Sequence, residues 1–423
     1  MRSEPPSLID ATRVWAKIGL LSFGGPAAQI ALMHKEVVEA RGWLSERQFL
    51  NALSFCMLLP GPEAMQLATY AGWRLHGTLG GLIAGLLFVL PGAVVIMALA
   101  VIYSLYGGVP LVEALFYGVK AAVLVIVVEA LLRVAKKALS RQSHWVIAGL
   151  AFIGIFFFSI PYPIIVLVAA LLGAMMQPAA EPPQVTDMTH VSARKSLSTI
   201  VTWLVIWLVP LGALIALGAP DLLVQVGQFF STLAVVTFGG AYAVLAYMAQ
   251  DVVVQFGWLS AGEMVDALGL AETTPGPLIL VTQFVGFLAG FKDGGIALGI
   301  AAALTALWVT FAPCFLWIFA GAPYIEWISN QPRLKGALSA ITAAVVGVIL
   351  NLSIWFALHV LFAEVRPIQV GPLTLWQPTL TSIEWLALAL FALSCVLAFR
   401  LHWGILRILA VASLLGAALR LLL

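Results

Sequence analysis

The residues with the clearest chemical potential are glycines and prolines set inside apolar runs. Phe23-Gly24-Gly25-Pro26 and Pro60-Gly61-Pro62 interrupt two hydrophobic stretches early in the chain, and Phe238-Gly239-Gly240 and Pro275-Gly276-Pro277 interrupt two more later on. Proline at the first turn of a helix gives up only an N–H that would be unpaired anyway, so each break reads as one helix stopping and another starting. Half-helices starting at Pro26 and Pro62 would present unpaired N–H groups and a positive dipole end, which is chemistry suited to an oxyanion. Gln66, Thr69, Thr273, Thr274, Thr282 and Gln283 supply neutral donors beside the breaks. For any single break, a proline kink packed between helices explains as much. Breaks at two repeat-related pairs of positions favour a site built from discontinuous helices.

Ionisable residues in the apolar runs form a second layer, because each is costly there unless paired or facing a cavity. Glu63 directly follows Pro62, and Glu272 lies three residues before Pro275. Either carboxylate could be a simple helix-dipole partner or a protonatable gate. Lys120 sits in the middle of the apolar run 111–132. It could offset the charge of a bound anion, or pair with a carboxylate on a neighbouring helix; Glu129 is spaced half a turn around the same helix and is not that partner. Arg74, His76 and Lys292 fall near the ends of apolar runs, where snorkelling is expected, and Trp43 and Trp258 suit interfacial anchoring. Cys56, Cys314 and Cys395 are scattered and read as small hydrophobes. The six histidines are dispersed, so no metal site is expected. No nucleophile elbow, zinc-protease, Walker or dinucleotide motif occurs, so no catalytic residue and no cofactor is expected and the chain does not read as an enzyme. With no nucleotide-binding domain, transport would have to run on ion or substrate gradients.

The elements that position these residues follow from composition and repetition. Of 423 residues, 62% are hydrophobic and 9% charged, with a net charge of +2. A soluble domain carries about a quarter charged residues, so this is an all-α polytopic membrane protein with no basic stripe for nucleic acid. Aligning each position with the one 215 residues later gives 17 identities in the 41 positions from Ser22 to Pro62, glycines, prolines and tryptophan in register. The chain is therefore two homologous halves. Residues 1–176 form the first membrane repeat, 177–198 a polar proline-containing linker, 199–217 an extra transmembrane helix, and 218–423 the second repeat. No cleavable signal is expected before the first apolar run. The loop 34–47 holds Lys35, Arg41 and Arg47 while its mate 249–262 has no Lys or Arg, and the bias reverses again in two later loops. The positive-inside rule then predicts an inverted repeat, with the extra helix supplying the odd crossing and the N-terminus and linker 177–198 cytoplasmic. Parity makes 9–33 and 49–73 broken, re-entrant segments, recurring in the second half, alongside nine full spans.

Ser22-Phe23-Gly24-Gly25-Pro26-Ala27-Ala28-Gln29, Arg41-Gly42-Trp43-Leu44-Ser45, Leu59-Pro60-Gly61-Pro62-Glu63 and Gln66-Leu67-Ala68-Thr69-Tyr70, with Thr237-Phe238-Gly239-Gly240, Gly257-Trp258-Leu259-Ser260 and Thr274-Pro275-Gly276-Pro277 in the same order, resemble the chromate transporter family. The match covers both halves, as in the two-domain, long-chain members. Ala241, where many members carry a third glycine, and Glu63, where a small or hydroxyl residue is more usual, depart from the pattern. The resemblance implies a bacterial inner-membrane secondary transporter that exports chromate, driven by the proton gradient, with sulfate as a structural mimic. It points to Phe23, Gly24, Gly25, Pro26, Pro60, Gly61, Pro62, Phe238, Gly239, Gly240, Pro275, Gly276 and Pro277 as substrate-site residues. Gln66, Thr274 and Lys120 join them from the reading of the residues, with Glu63 and Glu272 as proton-coupling candidates. Expected partners are membrane lipids and a small inorganic oxyanion, and a homodimer is left open. A carrier for sulfate or a small anionic metabolite shares these features, and a non-transporting membrane protein is the remaining alternative.

Overall fold

The computed structural model describes residues 6–177, 193–238, 241–325, 328 and 331–422. Most of linker 177–198, together with Gly239 and Gly240, lies outside these residues. The chain is helical nearly throughout, and among the described residues six helices are long and apolar enough to cross a bilayer. Four further apolar helices among the described residues, Gln142–Phe158, Tyr162–Met175, Asp221–Val236 and Trp385–Arg400, are shorter. Large apolar side chains such as Leu150, Leu167, Leu171 and Val209 stay exposed along the helices, as a hydrocarbon solvent permits.

The helix boundaries follow local signals. Helix α1 (Leu8–Leu21) starts at Ser7, whose side chain accepts from the Asp10 N–H at 3.1 Å. A break at Ser22–Gly24 separates it from α2 (Gly25–His34), with Gly24 and Gly25 at φ 83° and 79°, backbone open to glycine at little cost. Helix α3 (Glu46–Cys56) opens with a capping box, Ser45 and Gln48 exchanging hydrogen bonds at 3.3 and 3.0 Å. Then come the Pro60-Gly61-Pro62 break and α4 (Glu63–Tyr106).

Helix α4 is two arms. His76 and Gly77 leave helical geometry, with Gly77 at φ 62°. A Cβ on Gly72 would lie 2.3 Å from the Gly80 carbonyl oxygen, and one on Gly85 would lie 2.5 Å from Thr69 Oγ1. Residues sixteen apart in one straight helix would be separated by about 24 Å. The arm 63–75 therefore folds back on the arm beginning at residue 78. Helices α5 (Pro110–Ala138), α6 (Gln142–Phe158), α7 (Tyr162–Met175) and α8 (Ala193–Ala216) complete the first part of the chain.

The second half repeats the series with α9 (Asp221–Val236), α10 (Ala241–Gln250), α11 (Ala261–Thr273) and α12 (Val281–Gly321). Ser260 and Glu263 form the matching capping box at 2.7 and 3.2 Å. Gly42 and Gly257 share left-handed φ values of 62° and 64°. Helix α12 reverses at Gly294 and Gly295, where a Cβ on Gly290 would meet the Leu298 carbonyl oxygen at 2.5 Å. Helices α13 (Pro332–Leu361), α14 (Trp385–Cys395) and α15 (Ile405–Leu422) follow. One element departs from the all-α expectation: an antiparallel hairpin of β1 (Val365–Val370) and β2 (Leu373–Pro378), turning at Gly371.

The chain divides into two compact units that each draw on both halves. One contains Met1–Ala100, Met176–Ala241 and Thr274–Lys335, and the other Val101–Met175, Tyr242–Thr273 and Gly336–Leu423. In the second unit α5 packs backbone to backbone with α15, because a Cβ at Gly118 would sit 1.9 Å from the Ala412 carbonyl oxygen.

Candidate functional site

In the first unit the broken helices cross between halves. The Gly61 N–H donates to the Thr237 carbonyl oxygen at 2.9 Å, and the Gly276 N–H donates to the Ser22 carbonyl oxygen at 2.8 Å. Gly61 and Gly276 are repeat mates, as are Ser22 and Thr237. Each proline-glycine-proline loop thus hydrogen-bonds to the glycine break of the opposite half. Both hydroxyls turn back on their own helices, Ser22 Oγ to the Ile18 carbonyl oxygen at 2.6 Å and Thr237 Oγ1 to that of Leu233.

The glycines are required by this crossing. Gly61 and Gly276 have φ of 114° and 90°, outside the range of ordinary side chains. A Cβ on Gly92 of α4 would lie 2.1 Å from the Pro275 carbonyl oxygen, so only glycine lets that arm approach the loop.

Side chains then knit the loops together. Gln66, fully buried, donates from Nε2 to the Pro60 carbonyl oxygen at 2.6 Å. Gln29 on α2 donates to the Gly276 carbonyl oxygen at 2.7 Å and to that of Ser22 at 3.2 Å. Gln283 donates to the Ala93 carbonyl oxygen at 3.1 Å.

A cavity lies within the crossing. Pro26 and Gln29 line it from α2, Gly61 through Ala64 from the start of α4, Thr237 from the end of α9, and Pro277, Leu278 and Ile279 from the second loop. About 10 Å³ of it is open to a water centre, enough for one water. A tetrahedral oxyanion would need the surrounding arms to part. Helix α4 starts at this wall and so brings the positive end of its dipole to it.

The residues expected from the sequence fall into three sets. Pro26, Gly61, Pro62, Glu63 and Pro277 line the cavity; Gly24, Gly25, Pro60, Gln66, Thr274, Pro275 and Gly276 build the breaks around it. Phe23 is 38% exposed, Phe238 flanks the second break, and Gly239 and Gly240 lie outside the described residues. Lys120 and Glu272 belong to the second unit. There Lys120 Nζ lies 3.4 Å from Asp266, which also accepts from Tyr103 Oη at 2.8 Å, and Tyr242 Oη donates to Glu272 at 2.6 Å. The pairing alternative for Lys120 is thus the one the geometry displays. Glu129 instead meets Arg133 at 2.5 Å.

Gln29 and Asp266 were not singled out by the sequence. The available signal was a lone polar residue inside an apolar run, Gln29 one turn beyond Pro26 and Asp266 in the apolar stretch 264–271. Outside the apolar runs, Glu36, in the helical turn Lys35–Glu39 that continues α2, is held by Lys17 at 2.6 Å and by Arg41, the Lys17 hydrogen bond first among the forces that keep its carboxyl below the usual range. Its repeat mate Asp251 is pushed by burial up to about 6, against a hydrogen bond from Tyr247.

Helical repeats with crossed, broken segments around a buried cavity define a class of polytopic membrane protein whose central feature is a discontinuous-helix site. The chain belongs to the chromate transporter family: the family model described as "Chromate transporter" matches residues 9–174 and 224–418. A "Chromate transport protein" of Pseudomonas aeruginosa is 34% identical over 79% of this chain and 77% of its own. A "Probable chromate transport protein" of Synechococcus elongatus is 31% identical over 81% and 83% respectively. A "Chromate transport protein" of Cupriavidus metallidurans is 29% identical over 79% and 78%. No solved structure matches the chain.

Proposed function

We propose that this protein is a secondary transporter that exports chromate across the bacterial inner membrane, coupled to the proton gradient. The observation that carries the reading is the reciprocal crossing of the two halves, Gly61 on Thr237 and Gly276 on Ser22, around a cavity faced by a helix start. Such an arrangement offers backbone donors to an oxyanion without a fixed cation, so the anion can be released again. The one-water cavity suits a closed state, and loading requires the α4 and α12 arms to move against the breaks. Glu63 is the proposed coupling group, since it is among the residues that line the same cavity and a proton on its carboxyl would relieve repulsion with a bound anion. In this reading the halves, divided at 177–198 with 199–217 as the inverting helix, lie in opposite orientations with the N-terminus and linker cytoplasmic.

The test is uptake of labelled chromate and labelled sulfate into liposomes containing the purified protein, with and without an imposed pH gradient. Gradient-dependent chromate movement is expected. Movement of sulfate but not chromate would keep the architecture and change the substrate; movement of neither, with folded protein in the membrane, would overturn the reading.

A further inference from the structure

We propose that the cavity takes its oxyanion as the singly protonated monoanion, with the anion's own O–H donating to Gln29 Oε1. This rests on the oxyanion-transport reading and specifies the chemical form of the substrate.

The first argument is the donor–acceptor inventory at Gln29. Its side chain is 1% exposed and lines the cavity. Both hydrogen bonds from Nε2 end on carbonyl oxygens, those of Gly276 and Ser22, which can only accept. That fixes the amide orientation, because reversing it would set oxygen against oxygen. Oε1 is then left buried with no partner among the described residues. A buried acceptor without a donor is costly, and its natural complement is an O–H. A fully deprotonated tetrahedral dianion has no hydrogen to offer and would place a charged oxygen against this one.

The second argument is charge. Among the described residues no Lys or Arg lines the cavity, while Glu63 does. The positive end of α4 amounts to about half an elementary charge, which suits one negative charge better than two. Removing one charge from the substrate lowers both its desolvation cost and its repulsion from Glu63. No bond to the central atom changes; the proton is taken from the medium on loading and returned to it on release.

The consequence is selectivity. Chromate accepts a proton near neutral pH, whereas sulfate, of the same shape and charge, does so only in strong acid. An acceptor at Gln29 therefore separates two ions that backbone donors alone would treat alike. The titratable groups around the cavity are Glu63 on α4, Cys56 on α3, which acts electrostatically with Glu63, and Cys314 on α12, whose Sγ would lie 3.0 Å from a Cβ on Gly61.

The experiment measures initial rates of labelled chromate and labelled sulfate uptake into protein-containing liposomes with equal pH inside and out, stepped from mildly acidic to mildly alkaline. The expected chromate rate falls with rising pH, approaching about tenfold per unit once the dianion dominates, and sulfate stays slow throughout. Glu63→Gln removes the competing carboxyl and is expected to keep that slope, because the proton that sets it travels on the anion. A chromate rate that is flat or rises with pH, a slope that vanishes in Glu63→Gln, or sulfate moving as fast as chromate would overturn the proposal and leave the transport reading standing. Failure of chromate to move at any pH would overturn both.

Discussion

The two halves use one backbone device and equip it differently. Gly61 and Gly276 both adopt positive φ, both donate to the opposite half's break, and both follow a helix of matching capping chemistry. At the cavity wall the likeness ends. Gln29 and Glu63 of the first half correspond, 215 positions on, to Val244 and Leu278. The same divergence appears where α2 and α10 end, Glu36 being clamped by Lys17 and Arg41 while the positions corresponding to those cations are Thr232 and Phe256. Duplication fixed the breaks, which no other residues can make; the side chains, free of that geometric demand, diverged into one polar wall and one apolar wall.

Replacing residues by their repeat mates sharpens this contrast. Lys120 and Asp266 correspond to the neutral Thr342 and Asn51. Lys120→Thr leaves Asp266, whose side chain is 4% exposed, without its cation. A destabilisation of about 2–3 kcal/mol is expected, below the range for fully buried pairs because Lys120 is partly exposed, and adding Asp266→Asn should restore most of it. Thermal unfolding in detergent measures both. If the double variant stays as unstable as the single, the pair is not a self-contained structural unit.

A smaller and symmetric effect is expected at the glycines. Gly61→Ala and Gly276→Ala each force a side chain into a positive-φ conformation, costing about 1–3 kcal/mol, and each should lower chromate uptake by a similar factor. A loss at only one of them would break the functional equivalence of the two crossings.

The smallest effects should have opposite signs. Glu36→Gln removes a stabilising, lowered-pKa carboxylate and should destabilise by about 1–2 kcal/mol above its ordinary value of 4.5. That contribution disappears as pH falls through the lowered value. Asp251 is shifted the other way, from 3.8 to about 6, so its charged form penalises the fold increasingly as pH rises across that interval. Asp251→Asn should therefore stabilise at pH 8, on the order of 1 kcal/mol after solvent screening, and have little effect at pH 4. Unfolding temperatures of both variants across this pH range decide it.

The sequence exposed what glycine and proline alone can do. Phe23-Gly24-Gly25-Pro26 and Pro60-Gly61-Pro62, in register with their mates, mark the helix breaks in the sequence itself, because helix termination is a local event. The exchange of partners between halves was not legible: the Gly61–Thr237 and Gly276–Ser22 bonds join residues far apart in the chain, and nothing local distinguishes them from pairing within a half. Gln29 and Asp266 escaped for a related reason, since a single polar residue in an apolar helix gives no hint of the face it occupies. The hairpin of β1 and β2 was hidden between spans in a stretch read only for its charges.

The claim that one polar wall serves the cavity is tested most directly by copying the apolar wall onto it. Gradient-driven chromate uptake is measured in liposomes for Gln29→Val and Glu63→Leu, at equal amounts of folded, inserted protein, with Leu278→Met as the change on the opposite wall. The account predicts a fall of about tenfold or more for each of the first two and a rate close to the parent protein for the third. Parent-like uptake in both Gln29→Val and Glu63→Leu would contradict it.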